Sequence, residues 1–102
     1  MQITTQPIEI DAEGIASPCQ FVASPNFDAR PENTVVDMVV IHNISLPPGQ
    51  YGGEGVLQLF TNQLDPTAHP YYAQIAHLKV SSHFFIRRCG SLIQCVPCQQ
   101  RA

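Results

Sequence analysis

The sequence has little positive charge: five Lys and Arg stand against eight Asp and Glu, for a net charge of -3. No basic stripe is available to neutralise phosphates, which argues against nucleic acid as a partner. Nowhere do about 18 apolar residues run together, so no membrane-crossing helix is expected. The first residues, MQITTQPIEIDAEG, hold neither a basic n-region nor an apolar h-region, so a secretory leader is not expected and the cytoplasm is the expected location. With no leader, the four cysteines at 19, 89, 95 and 98 are expected to be reduced thiols rather than a disulfide framework.

What is present suits one folded domain. A chain of 102 residues, 44% hydrophobic and 13% charged, is too apolar to remain disordered and too short for two cores. We therefore read 1–102 as a single unit, with an arm over 1–33 and a sheet core with an active-site loop over 34–102. Pro7, Gly14, Pro18, Pro25 and Pro31 mark the arm as extended, with at most one short edge strand. Residues 35–41, V-V-D-M-V-V-I, form a β-branched run of the kind found in central strands buried on both faces. Residues 43–55, rich in Pro and Gly, read as a long loop, of the sort that compact domains keep for function. Residues 56–61 and 71–78 suggest short helices, separated by the loop D-P-T-A-H-P. In H-F-F-I-R-R-C-G-S-L-I-Q-C-V-P, a two-residue turn at Cys89-Gly90 would pair Arg88 with Ser91, Ile86 with Ile93 and Phe84 with Cys95 in an antiparallel hairpin.

His42 ends the apolar run and opens the loop. There an imidazole is fixed at its root and free at its tip, as a metal ligand or general base requires, although from local sequence alone bonding a nearby carbonyl or capping the strand is the simpler reading. His69, His77 and His83 add imidazoles, but no two of the four have the i, i+4 spacing of a helical zinc pair. His69 reads as a turn-packing residue and His83 as a buried hydrogen bonder. Cys95-Val-Pro-Cys98 has the form of a redox pair, and with Cys89 and His83 it could be written as a Cys3His zinc site. A redox C-x-x-C needs a following helix N-terminus, however, and only four residues follow; small apolar filler is the simpler reading.

The segments I-H-N-I-S-L-P-P-G (41–49), L-F-T-N-Q-L-D-P-T-A-H-P (59–70), I-A-H-L-K-V-S-S-H-F (75–84) and I-R-R-C-G-S-L-I-Q-C-V-P (86–97) closely resemble the 1,6-anhydro-N-acetylmuramyl-L-alanine amidases of the AmpD type. S-P-N-F-D-A-R-P (24–31) resembles their N-terminal segment. The resemblance implies an α/β fold, a mixed β-sheet with flanking helices, apparently truncated after the central hairpin. It implies a zinc-dependent cytoplasmic hydrolase of peptidoglycan recycling, which takes anhydro-muropeptide and cuts the amide between anhydro-N-acetylmuramic acid and L-alanine. By the same resemblance His42 is a zinc ligand, and Asn43 and Lys79 are substrate-binding residues. Lys79 stands where arginine is usual, which keeps the charge without the planar fork. Cys89 replaces the aspartate of the hairpin turn, and Cys95 and Cys98 stand at positions that are often aromatic. The family's catalytic glutamate, second histidine ligand and aspartate ligand belong to a second half with no counterpart in these 102 residues. No catalytic residue is therefore expected within the chain. The expectations are an incomplete amidase or an inactive half-domain remnant, with a cysteine-based zinc or redox module as a third alternative.

Overall fold

The computed structural model describes residues 7–46, 49 and 53–102. In chain order they form β1 (Glu9–Ile10), β2 (Ala16–Ser17), β3 (Gln20–Phe21), β4 (Asp28–Ala29), α1 (Gly55–Phe60), α2 (Pro70–Ile75), β5 (Phe84–Ile86), β6 (Leu92–Gln94) and β7 (Gln100–Arg101). Residues 1–6 of the expected arm and 47, 48 and 50–52 of the expected loop lie outside the described residues.

The C-terminal hairpin organises the rest. β6 pairs antiparallel with β5 and parallel with β3, giving a mixed sheet in the order β3-β6-β5. Being central, β6 and the residues after it are the most buried part of the chain, and Ile93, Gln94, Cys95 and Val96 are at most 1% exposed. The hairpin is where the sequence places it, but its register differs by one. Phe84 faces Gln94, Phe85 faces Ile93 and Ile86 faces Leu92. The cause is a three-residue connection instead of two. Arg87 N–H donates to Ser91 C=O at 3.0 Å, Gly90 N–H donates back to Arg87 C=O at 2.8 Å, and Gly90 sits at φ 92°. A turn followed by one left-handed residue adds a residue to the loop, and glycine is the residue that takes that conformation without steric cost.

The helices cover one face of this sheet. Val56, Leu57, Leu59 and Phe60 of α1 pack with Ile93, Cys95, Val96, Leu64 and Tyr72 in one core, and the Phe60 ring meets Phe85 edge-on at 6.5 Å. α1 stops because Asn62 turns left-handed at φ 61°; Asn62 N–H then donates to Leu59 C=O at 3.2 Å and Gln63 N–H to Gln58 C=O at 2.7 Å. α2 starts at Pro70, whose missing N–H costs nothing at a first helical position, and His69 caps it by accepting from Tyr71 N–H through Nδ1 at 3.0 Å. Both helices lie where the apolar spacing suggests, α2 being shorter than 71–78.

The arm is more structured than expected. It supplies four two-residue strands, not one: β1 with β2, β3 against β6 and β4 against β7. Gln94 fixes it in place, since its Oε1 accepts from Ala16 N–H at 2.8 Å and its Nε2 donates to Gly14 C=O at 2.8 Å. Gly14, at φ 85°, lies so close to residues 98–99 that a Cβ would stand 2.8 Å from the Cys98 and Gln99 nitrogens.

One expectation is overturned. Residues 35–41 do not form a buried central strand: they form no ladder, and Val35, Met38, Val39 and Ile41 are each at least 75% exposed. An apolar β-branched run becomes a strand only when a neighbour satisfies its N–H and C=O groups and another layer covers its faces. No described residue does either.

Candidate functional site

Residues 35–41 carry His42 and Asn43 along one side of an open cleft of about 1830 Å³. Residues 80–89, which include β5, line the cleft as well, and Arg30 and Cys98 contribute to it. His42 and Asn43 are both exposed. Lys79 is exposed too but precedes the first lining residue of its segment, Val80, so it flanks the cleft rather than lining it.

The other histidines are engaged elsewhere or distant in role. His83 also lines the cleft and is half-buried, with Nε2 2.7 Å from Gln100 C=O and 3.2 Å from Arg30 Nη2. A carbonyl only accepts, so a hydrogen bond to Gln100 needs the proton on Nε2, which leaves Arg30 Nη2, itself only a donor, as a neighbour rather than a partner; the ring then links the residue before β5 to β7. His69 is spent on capping α2 and packs against Tyr72 with centroids 5.5 Å apart. His77 is exposed after α2.

A catalytic zinc takes three protein ligands and keeps a fourth position open. Among the described residues, no three His, Cys, Asp or Glu side chains converge in a way that could hold a metal ion. His42 is thus one donor without companions in this part of the molecule, and the residues present do not by themselves fit a zinc centre.

The cysteines do not replace it. All four are free. Cys95 lies in the core, where burial pushes its thiol above the ordinary range, and burial does the same to Cys98 against the opposing pull of Arg30. A raised thiol is a poor nucleophile. Cys98 is followed by β7 rather than by a helix, so no helix N-terminus lowers its thiolate pKa. Cys89 differs, being exposed in the hairpin loop with its thiol lowered by hydrogen bonds from Ser91 and by the charge of Arg87.

Two groups that sequence reasoning missed hold the cleft's surroundings in shape. Gln94, a lone amide in L-I-Q-C-V-P, is a buried polar group within an apolar strand, and that interruption was its one visible signal. Asn26 Nδ2 lies 3.1 Å from Phe60 C=O, 2.8 Å from Asn62 Oδ1 and 2.9 Å from Val80 C=O, joining the arm to the end of α1 and to the segment that enters β5. A second, smaller hollow of about 780 Å³, lined by Gln20, Leu57, Gln58 and Arg87 among others, holds none of the expected site residues.

The site is thus an open cleft bordered by a histidine-bearing segment and by the edge of a mixed sheet that carries packed helices. The chain belongs to the N-acetylmuramoyl-L-alanine amidase family, whose sequence pattern matches residues 32–102. Among curated proteins it is similar to the 1,6-anhydro-N-acetylmuramyl-L-alanine amidase AmpD of Citrobacter freundii, 50% identical over 90 residues, covering 88% of this chain and 48% of that protein. The Escherichia coli protein of the same name is 52% identical over 81 residues, or 79% of this chain and 44% of its own. Among solved structures, the crystal structure of a selenomethionine AmpD derivative superposes with a TM-score of 0.87 at 49% identity, covering 92% of this chain and 52% of that one. The solution structure of Citrobacter freundii AmpD gives a TM-score of 0.54 at 48% identity. The chain spans about half the length of the curated relatives it matches.

Proposed function

We propose that this chain is the N-terminal share of a zinc-dependent amidase of peptidoglycan recycling, acting in the cytoplasm on anhydro-muropeptides at the amide between 1,6-anhydro-N-acetylmuramic acid and L-alanine. The observation that carries this reading is the pairing of about 50% identity to amidases so named with coverage of about half their length. In this reading His42 is one corner of the zinc site, Asn43 on the cleft wall contacts the sugar or peptide, and Lys79 beside the cleft offers a cation to a substrate carboxylate. These residues alone carry no catalytic step, because one imidazole cannot order a metal-bound water. The second reading, a remnant without activity, is favoured by the same isolation of His42.

The test is zinc analysis of the purified 102-residue chain with a chromatographic assay of peptide release from anhydro-muropeptide, on the unmodified chain and on His42→Ala. The expected result is no stoichiometric zinc at His42 and no release. Zinc-dependent turnover that disappears in His42→Ala would overturn the view that the site is shared with residues outside this chain.

A further inference from the structure

The smaller hollow, about 780 Å³, is walled by β3 and α1, and primary amides dominate it. Gln20 stands on β3, Gln58 on α1 and Gln63 just beyond that helix, and all three are exposed. Among the described residues, none of these side-chain amides bonds to another protein group. Leu57, only 7% exposed, and half-buried Val22 add an apolar floor. The charges at the hollow cancel, because Arg87 Nη2 donates to Glu54 Oε1 at 3.2 Å and Arg87 Nη1 to Gly53 C=O at 3.2 Å.

That lining selects the class of ligand. Pockets for small molecules run to roughly 300–1,000 Å³, so the volume suits a single metabolite-sized group. A phosphate or carboxylate would find Arg87 already engaged, and a cation would find Glu54 engaged likewise. A wholly apolar ligand would strip water from three amides and return no hydrogen bond. What fits is a neutral molecule dense in groups that both donate and accept. Each amide offers two N–H donors and a carbonyl acceptor, the complement of neighbouring hydroxyls. Thr61 adds an acceptor oxygen, its own proton being spent on Leu57 C=O at 2.7 Å.

The edge of β3 decides between a peptide and a sugar. Val22 N–H donates to Gln94 C=O and Ser24 N–H to Cys95 C=O, both at 2.9 Å, so the alternate residues Phe21 and Ala23 turn their backbone groups away from β6. Of these two only Ala23 borders the hollow. One outward residue is too short a row for strand addition, which relies on repeated main-chain bonds. It supplies one donor and one acceptor side by side, enough for an acetamido oxygen and the hydroxyl next to it.

We propose that the hollow between β3 and α1 is a subsite for a neutral N-acetylated amino sugar, with the amides of Gln20, Gln58 and Gln63 on its hydroxyls, Ala23 N–H on its acetamido oxygen and the acetamido methyl against Val22 and Leu57. Arg87 lines both this hollow and the cleft, so the subsite adjoins the place where His42 stands. The choice of sugar rests on the proposed action on muropeptides, but binding is read without any hydrolysis. A silent titration therefore counts against the subsite alone, and the zinc and peptide-release assays decide the activity separately.

The experiment titrates the nitrogen-15-labelled 102-residue chain with N-acetylglucosamine and follows backbone and side-chain amide signals by NMR. The expected result is saturable shifts at Ala23 and at the side chains of Gln20, Gln58 and Gln63. Gln58→Ala and Gln63→Ala, both at exposed positions, should each weaken binding about fivefold, the loss of one or two hydrogen bonds, whereas Glu32→Ala, exposed outside the hollow, should not. Glucose, which lacks the acetamido group, should bind about fivefold more weakly than N-acetylglucosamine. Absence of saturable shifts up to the solubility limit of the sugar would overturn the proposal. So would shifts confined to His42 and Asn43, equal binding of glucose, or shifts at Ala23 produced by N-acetyl-trialanine amide and not by the sugar, which would mark a peptide as the occupant.

Discussion

Gln94 shows how one buried amide can govern a whole segment, because both of its polar atoms are used on the arm while its stem lies in the core. Gln94→Leu would keep the volume but strand the Ala16 N–H, a group whose lost partner costs about 1–3 kcal/mol, while Gly14 C=O would keep its bond from Cys98 N–H. Urea unfolding should show a loss of about 1–3 kcal/mol, with faster amide exchange first at residues 9–17. The thiols give a second residue-scale prediction. Cys89, exposed and lowered by Ser91, should react first with iodoacetamide, whereas Cys95, buried and raised, should react only as the chain unfolds. Mass spectrometry of partly alkylated chain reads the order, and early labelling of Cys95 would contradict its place in the core. Acid provides a third. Arg101 donates to both Asp28 carboxylate oxygens at 2.7 and 2.5 Å and so holds the Asp28 carboxyl below the usual range. A carboxyl depressed in the folded state contributes stability above its unfolded pKa and loses it as pH falls through the folded value. The β4–β7 pair should therefore persist through mild acid and loosen only below the ordinary carboxylate range, and Asp28→Asn should abolish that dependence in exchange measurements.

At the level of elements, the hairpin was readable because Phe84, Ile86 and Ile93 flank a glycine, while its register was not, because a turn before Gly90 can close over two or three residues. The prediction belongs to that loop. Gly90→Ala meets no atom within 4 Å, so its cost is purely the left-handed backbone, about 1 kcal/mol, and a D-alanine at 90 should restore stability. Helices α1 and α2 were readable from apolar spacing and Pro70. The four short strands of the arm were not, since two-residue strands have no periodicity of their own, and two of them, β3 and β4, arise from partners some 70 positions away. Residues 35–41 had every local mark of a central strand and lack the neighbours that would make them one. The site was legible to the same degree: His42 could be placed at the end of that run, but the donors that would turn it into a metal centre are not among the described residues.

The whole molecule joins a well-buried hairpin to an apolar run in water. Such a surface favours association, so the 102-residue chain should bind a hydrophobic dye and show concentration-dependent mass by light scattering. A dye-free monomer at all concentrations would mean that the run is covered in solution. The Gln94 clamp, finally, bears on how the chain is made. Its contact with Ala16 N–H spans 78 positions. During synthesis at about 5–20 residues per second, the arm leaves the ribosome roughly 4–16 s before the amide that captures it. For that interval Phe21 has no β6 to join, and any nascent-chain binder that recognises short apolar stretches meets the arm first. Docking of the arm is therefore a late step in biogenesis, and its timing is set by the translation of a single glutamine codon near the far end of the message.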